Sequence, residues 1–198
     1  KADLKRKFSS TDQLNKVSGT IKEIALDISL HYKANWSGTP YKAQLTAPSK
    51  LAALQYHAFF QEFGMVDTAV LISGPSEVEG TDKKGYKVGQ EEVEKFWAEM
   101  MERYGNEREY NKQIIAKFQH SSRPEIIIVV DKLLTGFDAP NNTVLYITRP
   151  LKEHTLLQAI ARVNRIADGK DFGYIIDYYG VLKELDEALQ TYSSFEDF

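Results

Sequence analysis

The sequence predicts an α/β fold, a mostly parallel sheet flanked by helices on both faces. Two observations carry this. Ile126 to Val130 is an unbroken β-branched run, as expected of a strand buried on both faces of a parallel sheet. Strand-like runs also alternate with amphipathic helical stretches along most of the chain, the order that gives parallel strands with crossover helices outside them. A length of 198 residues suits one domain with a sizeable core.

Taken in order, residues 1–19 are charged and polar with few large apolar side chains, and read as a linker or a frayed helix. The domain proper is expected over 20–180. From Ile21 the apolar positions Ile21, Ile24, Ala25, Ile28 and Tyr32 recur at helical spacing, giving an amphipathic helix that ends near Asn35. Trp36-Ser37-Gly38-Thr39-Pro40 is a turn. His31 has no second metal-ligating side chain at ligand spacing, so it reads as a packed or surface histidine, and no metal site is expected. Tyr41 to Ala47 is a short strand. Ser49 is a candidate N-cap for a helix whose face is lined by Leu51, Leu54 and Ala58, and Gly64 closes it.

Asp67 to Ser73 reads as the next strand. Gly74 to Gly89 combines glycines, a proline and mixed charge, and is expected to be a mobile loop. Two polar helices follow, near Gln90–Tyr104 and Glu107–Phe118. The strand Ile126–Val130 then leads through Asp131 into Thr135-Gly136-Phe137-Asp138-Ala139-Pro140, and Thr143–Thr148 is a further strand. On the helix Leu156–Arg165, residues Gln158, Arg162 and Arg165 fall in one narrow wedge, with Leu156, Ile160, Val163 and Ala167 opposite. One stripe can pack on a sheet while the other presents two guanidiniums and an amide, which require solvent or an anionic partner. Gly173–Asp177 is the last strand. A final amphipathic helix over Val181, Leu182, Leu185, Ala188 and Leu189 makes 181–198 the start of a connection to a further domain.

Composition narrows the function classes. Hydrophobic residues make up 42% and charged residues 27%, as in soluble globular proteins. No apolar run approaches the roughly 20 residues that span a membrane. Without cysteine there can be no disulfide framework or cysteine zinc site, which is compatible with a cytoplasmic protein. A net charge of −3 is low for a freestanding nucleic-acid binder, so either the domain does not hold DNA alone or its contacts are local and few.

The segments TGFDAP and QAIARVNR resemble motifs V and VI of superfamily-two helicases and translocases. Gln158, Ala161, Arg162 and Arg165 match the motif VI pattern Q-x-x-G/A-R-x-x-R. The wording LLTGFDAP, LLQAIARVNR and GYIIDYYG is most similar to the HsdR-type R (motor and restriction) subunit of type I restriction enzymes. The resemblance is tight over 125–180 and loose over the rest of 20–190.

This resemblance implies a RecA-like (P-loop NTPase type) fold, the second of two such motor domains. It implies that Arg162 and Arg165 act as arginine fingers, with Gln158 positioning water or phosphate. Gly136 and Asp138 would face the nucleotide, and Thr135, Ser49 and Lys50 the DNA backbone. The chain contains no G-x-x-x-x-G-K-[ST] and no acidic box after a strand. ATP and Mg2+ would therefore be held mainly by the preceding RecA-like domain. The implied partners are double-stranded DNA, that domain and a nuclease domain of the same subunit, and the methylation and specificity subunits, with no membrane. Two other readings stay open: a related helicase on DNA or RNA without a nuclease, and a non-catalytic α/β interaction module. Upstream sequence carrying a nuclease domain separates the first alternative. ATPase loss on changing Arg162 or Arg165 separates the second.

Overall fold

A computed structural model describes residues 2–81, 89–134, 139–151, 153–165, 170 and 172–183, with the side chains of 2–16 and 153 left aside. Five strands form one sheet: β1 (Lys42–Thr46), β2 (Thr68–Leu71), β3 (Ile126–Val129), β4 (Asn142–Ile147) and β5 (Tyr174–Asp177). Their order is β2-β3-β1-β4-β5, and every pairing is parallel. The first strand of the chain is thus the central one. Ala43 pairs with Ile126 on one side and Val144 on the other.

Topology follows from handedness. The step from β1 to β2 runs one way across the sheet, and the steps β2→β3→β4→β5 run the other. Right-handed crossovers in opposite directions must lie on opposite faces. Accordingly α1 (Ala2–Asn35) and α2 (Lys50–Phe63) cover one face, packing Ile21, Ala25, Ile28, Tyr32, Tyr56 and Phe60 on Ala43, Leu45, Ile126, Ile128 and Tyr146. On the other face α4 (Glu107–His120) and α5 (Glu153–Val163) pack Tyr110, Phe118, Leu156 and Val163 on Ile127, Val129, Leu145 and Ile147. Helix α3 (Gln90–Tyr104) contributes Val93 to the first layer and Trp97 and Met100 to the second.

Several local expectations are met. Ser49 Oγ accepts from Ala52 N at the head of α2, and Gly64 closes that helix at φ 62°, left-handed backbone that suits glycine. His31 is packed, with Nδ1 sharing a 2.8 Å hydrogen bond with the Tyr146 hydroxyl. Two further segments can be placed. Residues 1–19, read as a linker or a frayed helix, are helical from Ala2 and run into the rest of α1. The segment has no proline, and Lys, Arg, Leu, Gln and Ala are good helix formers. The loop Gly74–Gly89 was expected to be mobile. Its first half, Gly74–Thr81, is pinned: Glu79 is buried with its carboxylate accepting from Ser73 N at 2.8 Å, and Thr81 N donates to Pro48 O at 2.8 Å. Residues 82–88 lie outside the described part. Of the last predicted helix, 181–183 are helical, headed by the Asp177 carboxylate that accepts from Leu182 N; 184–198 lie outside the described part.

Candidate functional site

Helix α5 carries the arginine stripe. It is a right-handed crossover from the carboxyl end of β4 to the amino end of β5, so Arg162 and Arg165 lie at the amino edge of the sheet. Leu156, Ala159 and Val163 are fully buried, and Ile160 packs partly against them. The buried stripe thus includes Ala159, which the pattern alone did not single out; Ala167 lies outside the described residues. Opposite, Gln158 and Arg165 are exposed and Arg162 is half-buried. Leu157 is 51% exposed beside them and Ala161 is exposed too, so the outward face is partly apolar as well as cationic. Arg165 sits just past the helix end, in a turn fixed by Asn164 N donating to Ile160 O and Asn164 Oδ1 accepting from Gly173 N. Gly173 has no room for a side chain. A Cβ there would lie 2.2 Å from Val163 O, so glycine is what lets the start of β5 pass under the arginine turn.

Nearby at the amino edge are two buried lysines that sequence reasoning missed. Lys170 donates to Pro140 O and Asn142 O, and Lys42 to Ser121 O and Pro124 O. Burial pushes the pKa of each below the usual lysine range, with Glu125 and then Asp67 opposing this at Lys42. Both tie connecting segments to the amino ends of strands and face inward. No local pattern marks them, because their acceptors are backbone carbonyls far along the chain.

The predicted DNA contacts Ser49 and Lys50 lie at the opposite, carboxyl edge, where β1 turns into α2. This is the switch point: the connections leaving β1 and its neighbours β3 and β4 diverge to opposite faces, the place where open α/β sheets accept ligands. Ser49 is half-buried and caps α2. Lys50, expected to face the DNA backbone as well, is turned inward. It is 4% exposed, and its ammonium donates to Gly74 O at 2.8 Å and Glu77 O at 2.6 Å. The loop after β2 has carbonyls with no strand partner, and the lysine satisfies them. The same edge carries a group the sequence reading passed over. Arg149 is buried, its Nη2 donating to Val130 O at 2.9 Å and pairing with Asp131. The available signal was a charged residue two positions after a fully buried strand. Thr135, Gly136 and Asp138 lie outside the described residues. The structure therefore brings Gln158, Arg162 and Arg165 to one edge and Ser49 to the other, and does not join the two sets.

An all-parallel sheet in this order, layered by helices on both faces, is the RecA-like α/β class. A family model, type I restriction enzyme subunit R domain 3, matches residues 39–180, and the chain belongs to that family. A Methanocaldococcus jannaschii protein bearing the name type I restriction enzyme MjaVIIIP endonuclease subunit is 32% identical over 199 residues, covering 100% of this chain and 19% of its own length. The HindI type I restriction endonuclease subunit of Haemophilus influenzae is 43% identical over 93 residues, 43% of this chain and 9% of that protein. The chain thus spans a fifth or less of these relatives. A solved fragment of an HsdR subunit from Vibrio vulnificus YJ016 has the same fold, at TM-score 0.57 and 16% identity over 85% of this chain and 28% of that chain.

Proposed function

We propose that this domain is the second motor domain of an ATP-driven DNA translocase within a type I restriction R subunit. In this reading it supplies arginine fingers to a cleft closed by the preceding RecA-like domain. The observation that carries the reading is the outward face of α5. Arg162, Arg165 and Gln158 are presented beside exposed Leu157 and Ala161 on a helix anchored by Leu156, Ala159 and Val163. Exposed apolar surface among cations suits a face that another domain covers.

The chemistry available is that of guanidinium and amide donors. Hydrolysis spreads negative charge over the γ-phosphate and the leaving oxygens, and planar forked donors delivered on closure stabilise it. These donors suit phosphate oxygens and do not suit magnesium. Among the described residues no group of three or more His, Asp or Glu could hold a cation. The described residues do not fit a resident Mg2+. ATP would be bound mainly by the preceding domain, with Gly136 and Asp138 facing the nucleotide and Thr135 the DNA backbone, as the motif resemblance implies. Ser49 would contact double-stranded DNA at the carboxyl edge. The nuclease domain of the same subunit and the methylation and specificity subunits complete the assembly in this reading.

The test is Arg165→Ala in the full subunit. DNA-stimulated ATP hydrolysis should fall by about 10³-fold or more, on the order of 4 kcal/mol of transition-state stabilisation, while ATP binding stays near normal. Arg165→Lys should restore little. Near-normal turnover in Arg165→Ala, with the protein folded, would remove the finger assignment.

A further inference from the structure

Five connections leave the carboxyl edge of the sheet, and side chains tie together the four that follow β1, β2, β3 and β4. Arg149 follows β4, whereas its acceptor Val130 and its partner Asp131 follow β3. The sheet order puts β1 between those two strands, so the guanidinium spans the carboxyl end of β1. The second oxygen of Asp131 accepts from Gly80 N at 2.7 Å. The next residue, Thr81, donates to Pro48 O through both its N–H, at 2.8 Å, and its hydroxyl, at 2.9 Å. Pro48 directly precedes Ser49.

This path has little slack. Gly80 has φ 57°, and a Cβ there would lie 2.3 Å from Pro48 O and 2.7 Å from Val130 Cγ1. Lys50 holds the same loop through Gly74 O and Glu77 O. Leu133, two residues beyond Asp131, has φ 63°, an uncommon conformation for a bulky side chain that persists only where the surroundings fix it. Lys132 between them is held by Glu107 at 2.7 Å and Asn111 at 3.1 Å.

We propose that Arg149 is a positioning residue: through Asp131, Gly80 and Thr81 it joins the loops after β1, β2, β3 and β4 into one plate and so sets where Ser49 meets the DNA backbone. The inference rests on the DNA contact assigned to Ser49 above. Arg149 acts through other groups. Its side chain is 9% exposed, and the half-exposed Asp131 carboxylate faces it. Its Nε is buried without a partner, which leaves a direct phosphate contact as the rival explanation.

The experiment uses the full-length R subunit assembled with its companion subunits, and measures ATP hydrolysis against the concentration of linear duplex DNA at several salt concentrations. For Arg149→Met the half-stimulating DNA concentration should rise on the order of tenfold, the scale of losing one hydrogen bond to a charged phosphate. The rate at saturating DNA should stay within about twofold, because the plate lies at the opposite edge from Arg165. The slope of log affinity on log salt should not change. Asp131→Asn should act in the same direction, and the double variant should be no worse than the single ones, since both break one path. If Arg149→Met does not fold, Asp131→Asn and Arg149→Lys carry the test; both Arg149 bonds come from Nη2, and a lysine ammonium can replace that one donor nitrogen on a shorter stem, so its shift should be intermediate. An unchanged half-stimulating concentration in the folded variants would overturn the proposal, as would additive effects in the double variant. A salt slope reduced by about one would overturn it in favour of a direct phosphate contact. A wild-type enzyme whose ATPase ignores DNA removes the underlying reading, and the proposal with it.

Discussion

Lys50→Met separates a structural lysine from a DNA-binding one. The thioether keeps most of the stem and removes the ammonium. Two charge-assisted hydrogen bonds are lost, to Gly74 O and Glu77 O. At about 1.5–3 kcal/mol each, their gross worth is about 3–6 kcal/mol. Offsetting this, the side chain is buried, and removing its charge relieves a desolvation penalty of several kcal/mol. The net expectation is a loss of about 1–3 kcal/mol. For a domain near 200 residues each kcal/mol moves Tm by about 2–4 °C, so thermal denaturation followed by circular dichroism should show a drop of about 2–12 °C. Limited proteolysis should also cut faster within Gly74–Thr81, whose anchoring is weakened. The refuting result is an unchanged Tm together with weaker DNA binding and a salt slope reduced by about one, since that pairing identifies a phosphate contact.

Gly80→Ala should destabilise the domain by at least about 2 kcal/mol in chemical denaturation, because the left-handed backbone and the approach of Pro48 O both exclude a Cβ. His57 is held by burial below its ordinary pKa of 6.5, with Asp67 opposing, and shares a 2.6 Å hydrogen bond with Thr68 Oγ1. The unfolded chain therefore binds its proton more readily than the folded one. His57 contributes stability above pH 6.5 that is lost as pH falls through its lowered folded value, and His57→Gln should flatten the Tm–pH curve in that window. The isolated chain should release no phosphate from ATP, with or without DNA, since its sequence has no phosphate-cradling G-x-x-x-x-G-K-[ST] loop. Steady release from a pure preparation would refute that.

Much of the fold was legible because its signals are local. The Ile126–Val130 run, the Ser49 cap and the Gly64 terminator each act within a few residues, and each appears where the sequence placed it. The opposed stripes of α5 followed from helical phase alone, with Ala159 added to the buried one. What stayed hidden depends on partners far away in sequence. Nothing near Lys50 shows that the carbonyls of Gly74 and Glu77 will close over it. Nothing near Arg149 shows that Val130 and Asp131 will sit two strands away. A basic residue beside a helix N-terminus looks alike whether it faces a phosphate or a loop, and only the tertiary arrangement decides. The strand order was likewise not readable, since periodicity reports burial of a strand and not its neighbours.

The central place of β1 also governs when the sheet can exist. β1 and β2 are the first two strands made, yet they never touch, because β3 lies between them. β1 pairs with β3, about 80 residues later, and with β4, about 100 residues later. Until Ile126–Val129 leaves the ribosome, no two strands of the nascent chain can form their native ladder. Such distant pairing makes folding slow relative to helical proteins of similar size. The apolar faces of α1 and α2, complete long before their sheet, would meanwhile have no ladder to pack on. Chains cut between α4 and β3 should accordingly retain helix, lack the parallel sheet, and aggregate or require a chaperone, whereas chains that continue through β5 carry all five strands of the sheet.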